Sequence, residues 1–198
     1  MPYIIAGLGN PGEEYENTRH NTGRIMIEHF RDVHGFPEWK EDKKNKTLIS
    51  KEKVGKESVV LMEPNNFMNN SGKSFSSFVK NKKAAEKAVV IYDDIDLPLG
   101  VIKISWNRSS GGHNGLGSVI KALKTQEFIR VRVGVSKMSP KGVAKKPKGE
   151  EAVLKFLLGK FKNDEMLELK KMAKKVSLAL ETIINEGREK AMGEFNRV

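Results

Sequence analysis

The strongest constraint on the fold of this chain is where its apolar runs stop. Residues 3–8 (YIIAGL), 88–92 (AVVIY) and 128–135 (FIRVRVGV) are rich in β-branched and large apolar side chains. Each is strand-length and too short for a core helix. The first runs into Gly7-Leu8-Gly9-Asn10-Pro11-Gly12, a dense turn signal, and the second into Asp93, Asp94 and Asp96.

Between these runs the apolar spacing changes to the helical period. Residues 22–34 carry Met26, His29, Phe30 and Val33 at helical intervals, with Thr22 as a cap and Gly35 as a stop. Residues 71–81 place Phe75, Phe78 and Val79 on one face behind Asn70 and Ser71. After the loop 109–115, Leu116, Val119, Ile120 and Leu123 form a stripe. Helices are also expected over 150–158 and 163–186. The second has Met166, Leu169, Met172, Ala173, Val176, Leu180 and Ile183 on one face and Gly187 at its end. Shorter strand-like pieces sit at 48–49, 58–62 and 101–106. Residues 136–149 (SKMSPKGVAKKPKG) read as a mobile basic loop.

Such alternation predicts an α/β fold: one domain over 1–198, with a twisted mixed sheet flanked by helices. Functional groups in such sheets gather beyond the carboxyl ends of strands. The loops after 3–8 and 88–92 are therefore where chemistry is expected.

Composition narrows the function classes. An apolar fraction of 38% supports a real core, and no run approaches the roughly 20 apolar residues of a membrane helix. The opening residues lack a secretory leader pattern, which favours a cytoplasmic protein. There is no cysteine, so thiolate nucleophiles, disulfides and thiolate metal sites are excluded. A net charge of +11 attracts polyanions, of which nucleic acid is the commonest. The same charge also fits a solubility adaptation.

Of the four histidines, His29 and His34 fall within one predicted helix and read as structural. His20 and His113 sit in Gly/Asn-rich loops just before predicted helices. Helix N-termini carry partial positive charge, which is expected to keep such an imidazole neutral, the state a general base needs. Asp93 lies nearest the end of its strand. A fixed carboxylate there can select a histidine tautomer and stabilise the imidazolium. Asn10, Asn69 and Asn114 each occupy a separate loop. A side-chain amide offers a donor and an acceptor, so it can hold a peptide unit or the oxygen that gains charge in acyl transfer. Capping and turn roles are the plain alternative for each. The carboxylates and histidines could bind a divalent ion, but no H-E-x-x-H spacing is present and no metal is expected. Gly7-x-Gly9-x-x-Gly12 is a poor dinucleotide fingerprint, because Pro11 interrupts it, no helix opens at once and no acid ends a second strand about 20 residues on.

Five blocks together resemble bacterial-type peptidyl-tRNA hydrolase: 7–23 (GLGNPGEEYENTRHNTG), 63–74 (EPNNFMNNSGKS), 92–100 (YDDIDLPLG), 109–123 (SSGGHNGLGSVIKAL) and 128–135. Their order and spacing fit over about residues 3–187. The resemblance implies a single α/β domain that hydrolyses the ester between peptide and tRNA. It implies His20 as catalytic base and Asp93 as its partner. It implies substrate contacts from Asn10, Tyr15, Phe67, Asn69, His113 and Asn114. It also implies a tRNA-binding basic region, here Lys103 and Arg132, with no cofactor and a monomeric state. Many members carry a basic residue two positions beyond the equivalent of Lys103. Here that position is Ser105, and Arg108 is the candidate substitute. The rival readings are a non-catalytic RNA-binding relative, a metal-dependent peptidase or nucleosidase on a similar sheet, and a plain interaction module.

Overall fold

A computed structural model describes residues 1–197. Its strands are β1 (Tyr3–Gly7), β2 (Lys40–Asp42), β3 (Thr47–Val54), β4 (Glu57–Pro64), β5 (Ala88–Pro98), β6 (Ile102–Trp106), β7 (Ile129–Met138) and β8 (Ala144–Lys145). The helices are α1 (Thr22–Val33), α2 (Gly72–Phe75), α3 (Lys82–Ala85), α4 (Asn114–Leu123), α5 (Glu150–Leu157), α6 (Asn163–Glu186) and α7 (Arg188–Phe195). The strands form one mixed sheet in the order β2-β3-β4-β1-β5-β7-β6, with β8 added to β7. Neighbours from β4 to β7 run parallel, and β2, β3, β6 and β8 join antiparallel.

The two-residue period of the central strands feeds two cores. Ile5, Val89, Ile91, Val131 and Val133 face Met26, Ile27 and Phe30 of α1 and Leu169, Met172, Val176, Leu180 and Ile183 of α6. Ile4, Ala6, Val90 and Tyr92 face the other way, toward Phe75, Val79, Leu116, Val119 and Phe128. Helices on both faces explain why the central strands read as unbroken apolar runs.

α1 enters against the sheet through glycines. A Cβ on Gly23 would lie 2.4 Å from the Ile91 carbonyl oxygen and 2.4 Å from the Leu8 nitrogen. Only a glycine there lets the first turn of α1 sit on the ends of β1 and β5, which carries His20, three residues earlier, to the strand ends.

Several elements differ from the sequence expectation. β5 does not stop at Tyr92 but continues through the acids to Pro98. Asp93 is therefore inside a central strand, paired in register with Val133. Thr22 does not cap α1: its hydroxyl donates to the Arg19 carbonyl, and Val33 is exposed. The helix expected over 71–81 shrinks to the single turn of α2. The segment 136–149 is partly ordered as strand, because β7 extends to Met138 and returns as β8. Lys146 in that segment pairs with Asp96 of β5, although like the other lysines of the segment it stays exposed. No helix among the described residues is long and apolar enough to cross a membrane.

Candidate active site

The expected residues meet at the carboxyl ends of β1, β4 and β5. A 3-10 turn at Arg19–Asn21 presents His20, whose Nδ1 lies 3.0 Å from Asp93 Oδ1 and 3.1 Å from Oδ2. His113 approaches the same carboxylate from the loop before α4, with Nε2 3.1 Å from Oδ1. The imidazole rings of His20 and His113 are tilted at 45°, with centroids 5.1 Å apart. Asp93 is 2% exposed, so its charge is answered by these two rings rather than by water.

The hydrogen bonds assign the tautomers. His113 caps α4, and its Nδ1 accepts from the Leu116 N–H at 3.2 Å. Its proton must therefore sit on Nε2, which donates to Asp93. His20 in turn donates Nδ1–H to Asp93. Its Nε2 keeps a lone pair with no hydrogen-bond partner among the described residues.

Electrostatics modify the sequence expectation. Burial opposes a charge on His20, but the charge and hydrogen bond of Asp93 outweigh it, and the His20 pKa is raised above its ordinary 6.5. The carboxylate, rather than the helix N-terminus, sets the direction of the His20 shift. For Asp93, burial favours the neutral acid, yet the two imidazoles hold its carboxyl well below the usual carboxylate range.

His20, Asp93 and His113 also offer donor atoms within 4.8 Å of one another, a spacing that could suit a metal ion. Their hydrogen bonding fits it poorly. An ion on Nε2 of His113 would require the proton on Nδ1, where it would oppose the Leu116 N–H. The set fits a proton-sharing triad.

The three expected asparagine loops converge on Met68. Asn10 is buried, and its Oδ1 accepts from the Met68 N–H at 2.8 Å. Its amide NH₂ has no hydrogen-bond acceptor among the described residues. A Cβ on Gly115 would lie 2.3 Å from Met68 Sδ, so the first turn of α4, bearing Asn114, presses on the same residue. Asn69 follows Met68 and, like Asn114, is exposed. Tyr15 and Phe67 meet edge to face with centroids 6.4 Å apart, and Phe67 is 60% exposed. This pair forms an apolar shelf next to Met68.

Asn21 is a site residue that the sequence reading missed. Its Oδ1 accepts from the Asn10 N–H and its Nδ2 donates to the Asn10 carbonyl, both at 2.9 Å. It thereby fixes the Asn10 loop to the turn that carries His20. Arg19 is another. It grips Glu165 with both carboxylate oxygens within 3.0 Å and donates to the carbonyls of Gly159 and Lys160. Nothing local in the sequence marks either partnership, since Glu165 lies 146 positions away.

The expected tRNA contacts lie on one side. Lys103 and Arg132 are opposite one another on β6 and β7 and share a sheet face, as do Ser105 and Arg130. A cavity of about 360 Å³ is lined by Asp93, His113, Arg108, Arg130 and Arg132 among others, and His20 is not in its wall. Arg132 Nε donates to Asp94 Oδ2 at 2.7 Å, so its charge is partly answered. Arg130 is buried and bonds the Ser109 and Gln126 carbonyls. It supplies the cation beside Ser105. Arg108 is exposed at the rim.

Comparison with known proteins identifies the family. The sequence matches the peptidyl-tRNA hydrolase family over residues 4–198. It is 40% identical over 195 residues to a peptidyl-tRNA hydrolase of a Thermoanaerobacter species, covering 98% of this chain and 99% of the relative. It is 38% identical over 194 residues to that of Listeria welshimeri, covering 98% and 99%. The fold superposes on the crystal structure of peptidyl-tRNA hydrolase from Acinetobacter baumannii with a TM-score of 0.87 and 28% identity, over 98% of this chain and 94% of the other. The chain belongs to the peptidyl-tRNA hydrolase family.

Proposed function

We propose that this protein hydrolyses the ester bond between a peptide and the terminal ribose of tRNA, with His20 as the general base. The observation that carries the chemistry is the His20–Asp93 contact at 3.0 Å, with Nε2 of the ring left without a protein partner. Neutral His20 takes a proton from water through Nε2 as the water oxygen attacks the ester carbonyl; the bond to the ribose oxygen then breaks, and the imidazolium returns the proton to that oxygen. Asp93 holds the ring in the Nδ1–H tautomer and stabilises the imidazolium as it forms. His113 donates to the same carboxylate, at Oδ1, and is a positioning group.

The free NH₂ of Asn10 is aimed to donate, because its Oδ1 is committed to Met68. It is the side chain best prepared to steady the oxyanion. Asn69 and Asn114 are both exposed and hold the peptide main chain. Tyr15 and Phe67 provide an apolar contact that any side chain can use. Recognition by main chain suits a substrate of varied sequence. Lys103, Arg132 and Arg108 supply the positive surface for the tRNA backbone. The imidazole–carboxylate couple has no purpose in a purely RNA-binding relative.

The test is release of labelled N-acyl amino acid from N-acyl-aminoacyl-tRNA, with unblocked aminoacyl-tRNA as control. Hydrolysis of the first and little of the second is expected. No release from either substrate would refute the reading.

A further inference from the structure

One charged pair beside the site has no part in the chemistry described so far. Arg24 is in the first turn of α1, four residues after His20. Its Nη2 donates to the Pro64 carbonyl at 2.5 Å, and its Nη1 lies 3.3 Å from Glu63 Oε2. Both side chains are nearly buried, 15% and 8% exposed. The stem of Arg24 lies over Gly9, where a Cβ would come within 2.9 Å of Arg24 Cδ and Cγ.

A single side chain therefore touches three segments. These are the start of α1 just after His20, the Gly9-Asn10 loop, and the end of β4 that leads into Phe67, Met68 and Asn69. Burying two charges is costly, and such a pair rarely adds net stability. The geometry offers a different use for it.

We infer that Arg24 and Glu63 form a positioning pair that sets the gap between the Phe67–Asn69 loop and the His20 turn, and so the fit of the peptide moiety. This rests on the hydrolase reading above. The groups facing Glu63 are Arg24, Glu28 and Arg31, all on α1. Burial, opposed by Arg24, pushes the Glu63 carboxyl up to about 7. The pair is therefore fully ionised only on the alkaline side of neutrality. Its loss on acidification should weaken peptide binding.

The test uses the full-length chain, N-acyl-aminoacyl-tRNA as substrate and deacylated tRNA as competitor. R24K keeps the charge but cannot reach Glu63 and Pro64 together. It should raise KM about tenfold, the effect of one lost charge-assisted hydrogen bond. The inhibition constant of deacylated tRNA and kcat should stay within about twofold of wild type. E63Q keeps the shape and removes the titration. KM of the wild type should fall between about pH 6 and about pH 8, while KM of E63Q should stay flat near the acid-side value. Folded R24K with an unchanged KM overturns the inference. So does a KM that rises in step with the tRNA inhibition constant, or an E63Q profile that parallels the wild type. An inactive wild type would instead refute the hydrolase reading itself.

Discussion

Replacing Asp93 by asparagine should disable the base without disturbing the shape of the site. Asp93 Oδ1 accepts from His20 Nδ1 at 3.0 Å and from His113 Nε2 at 3.1 Å, and Oδ2 faces His20 at 3.1 Å. In the variant one oxygen becomes an NH₂ donor. It cannot take the Oδ1 position without opposing the Nε2–H of His113, which is locked because its Nδ1 accepts from Leu116. The amide nitrogen is therefore driven to the Oδ2 position, facing His20 Nδ1. Oδ1 can still accept from Nδ1–H, but the new N–H donor beside it favours the tautomer with the proton on Nε2, which depletes the form whose lone pair receives the water proton. General-base catalysis contributes about 10²–10⁴-fold, so kcat should fall by an amount in that range.

The pH profile gives an independent readout. In the wild type the active form is neutral His20, so kcat/KM should rise with pH through a value above the ordinary 6.5. Removing the Asp93 charge leaves burial as the main influence, and burial lowers the pKa. Residual activity of D93N should therefore have its acid limb shifted to lower pH. Steady-state hydrolysis of N-acyl-aminoacyl-tRNA across the pH range, with Tm as the folding control, measures both. A D93N protein that retains activity within about tenfold of wild type, below the usual range for a lost general base, and keeps its acid limb would refute the reasoning.

Other perturbations follow from the same structure. Asp93 titrates below its ordinary 3.8 when folded, so its stabilising contribution is present above that value and is lost as pH falls through the folded one. The Tm difference between wild type and D93N should therefore narrow in acid. His20, raised above 6.5, stabilises the fold below that value, and this contribution disappears as pH rises through the folded pKa. Arg19→Ala strands the buried Glu165 carboxylate and should cost about 3–5 kcal/mol in urea denaturation. Lys103→Ala should raise KM more than it lowers kcat, and should reduce the slope of log KM against log salt by about one. Arg132→Ala should behave less cleanly, because it also leaves Asp94 unpaired next to Asp93.

Much of this could be read in the chain, and the failures share a physical cause. The apolar runs of β1 and β5 and the stripes of α4 and α6 follow from local periodicity, which is written in adjacent residues. His20, Asp93 and the three asparagine loops were legible because several loop motifs had to coincide. The continuation of β5 through Asp93, Asp94 and Asp96 was hidden by the usual association of acids with turns. Those acids stay in a strand because Arg132, Lys146 and the two histidines answer them from elsewhere in the chain. Asn21, Arg19 and Arg24 were missed for the same reason: their partners are Asn10, Glu165 and Glu63, and their role exists only once the fold brings these together. The short helix α7 after Gly187 lacks an apolar stripe that periodicity could detect. The upward shift of the His20 pKa could not be read from the sequence, because it depends on the 3.0 Å approach of a buried carboxylate, whereas only the helix terminus is visible locally.

Single-turnover cleavage of N-acyl-aminoacyl-tRNA by His20→Asn, with enzyme in excess, examines the chemical step alone. The rate should drop by at least about 10²-fold while the affinity for deacylated tRNA is unchanged. A variant that cleaves at the wild-type rate would remove the imidazole from the reaction and the account with it.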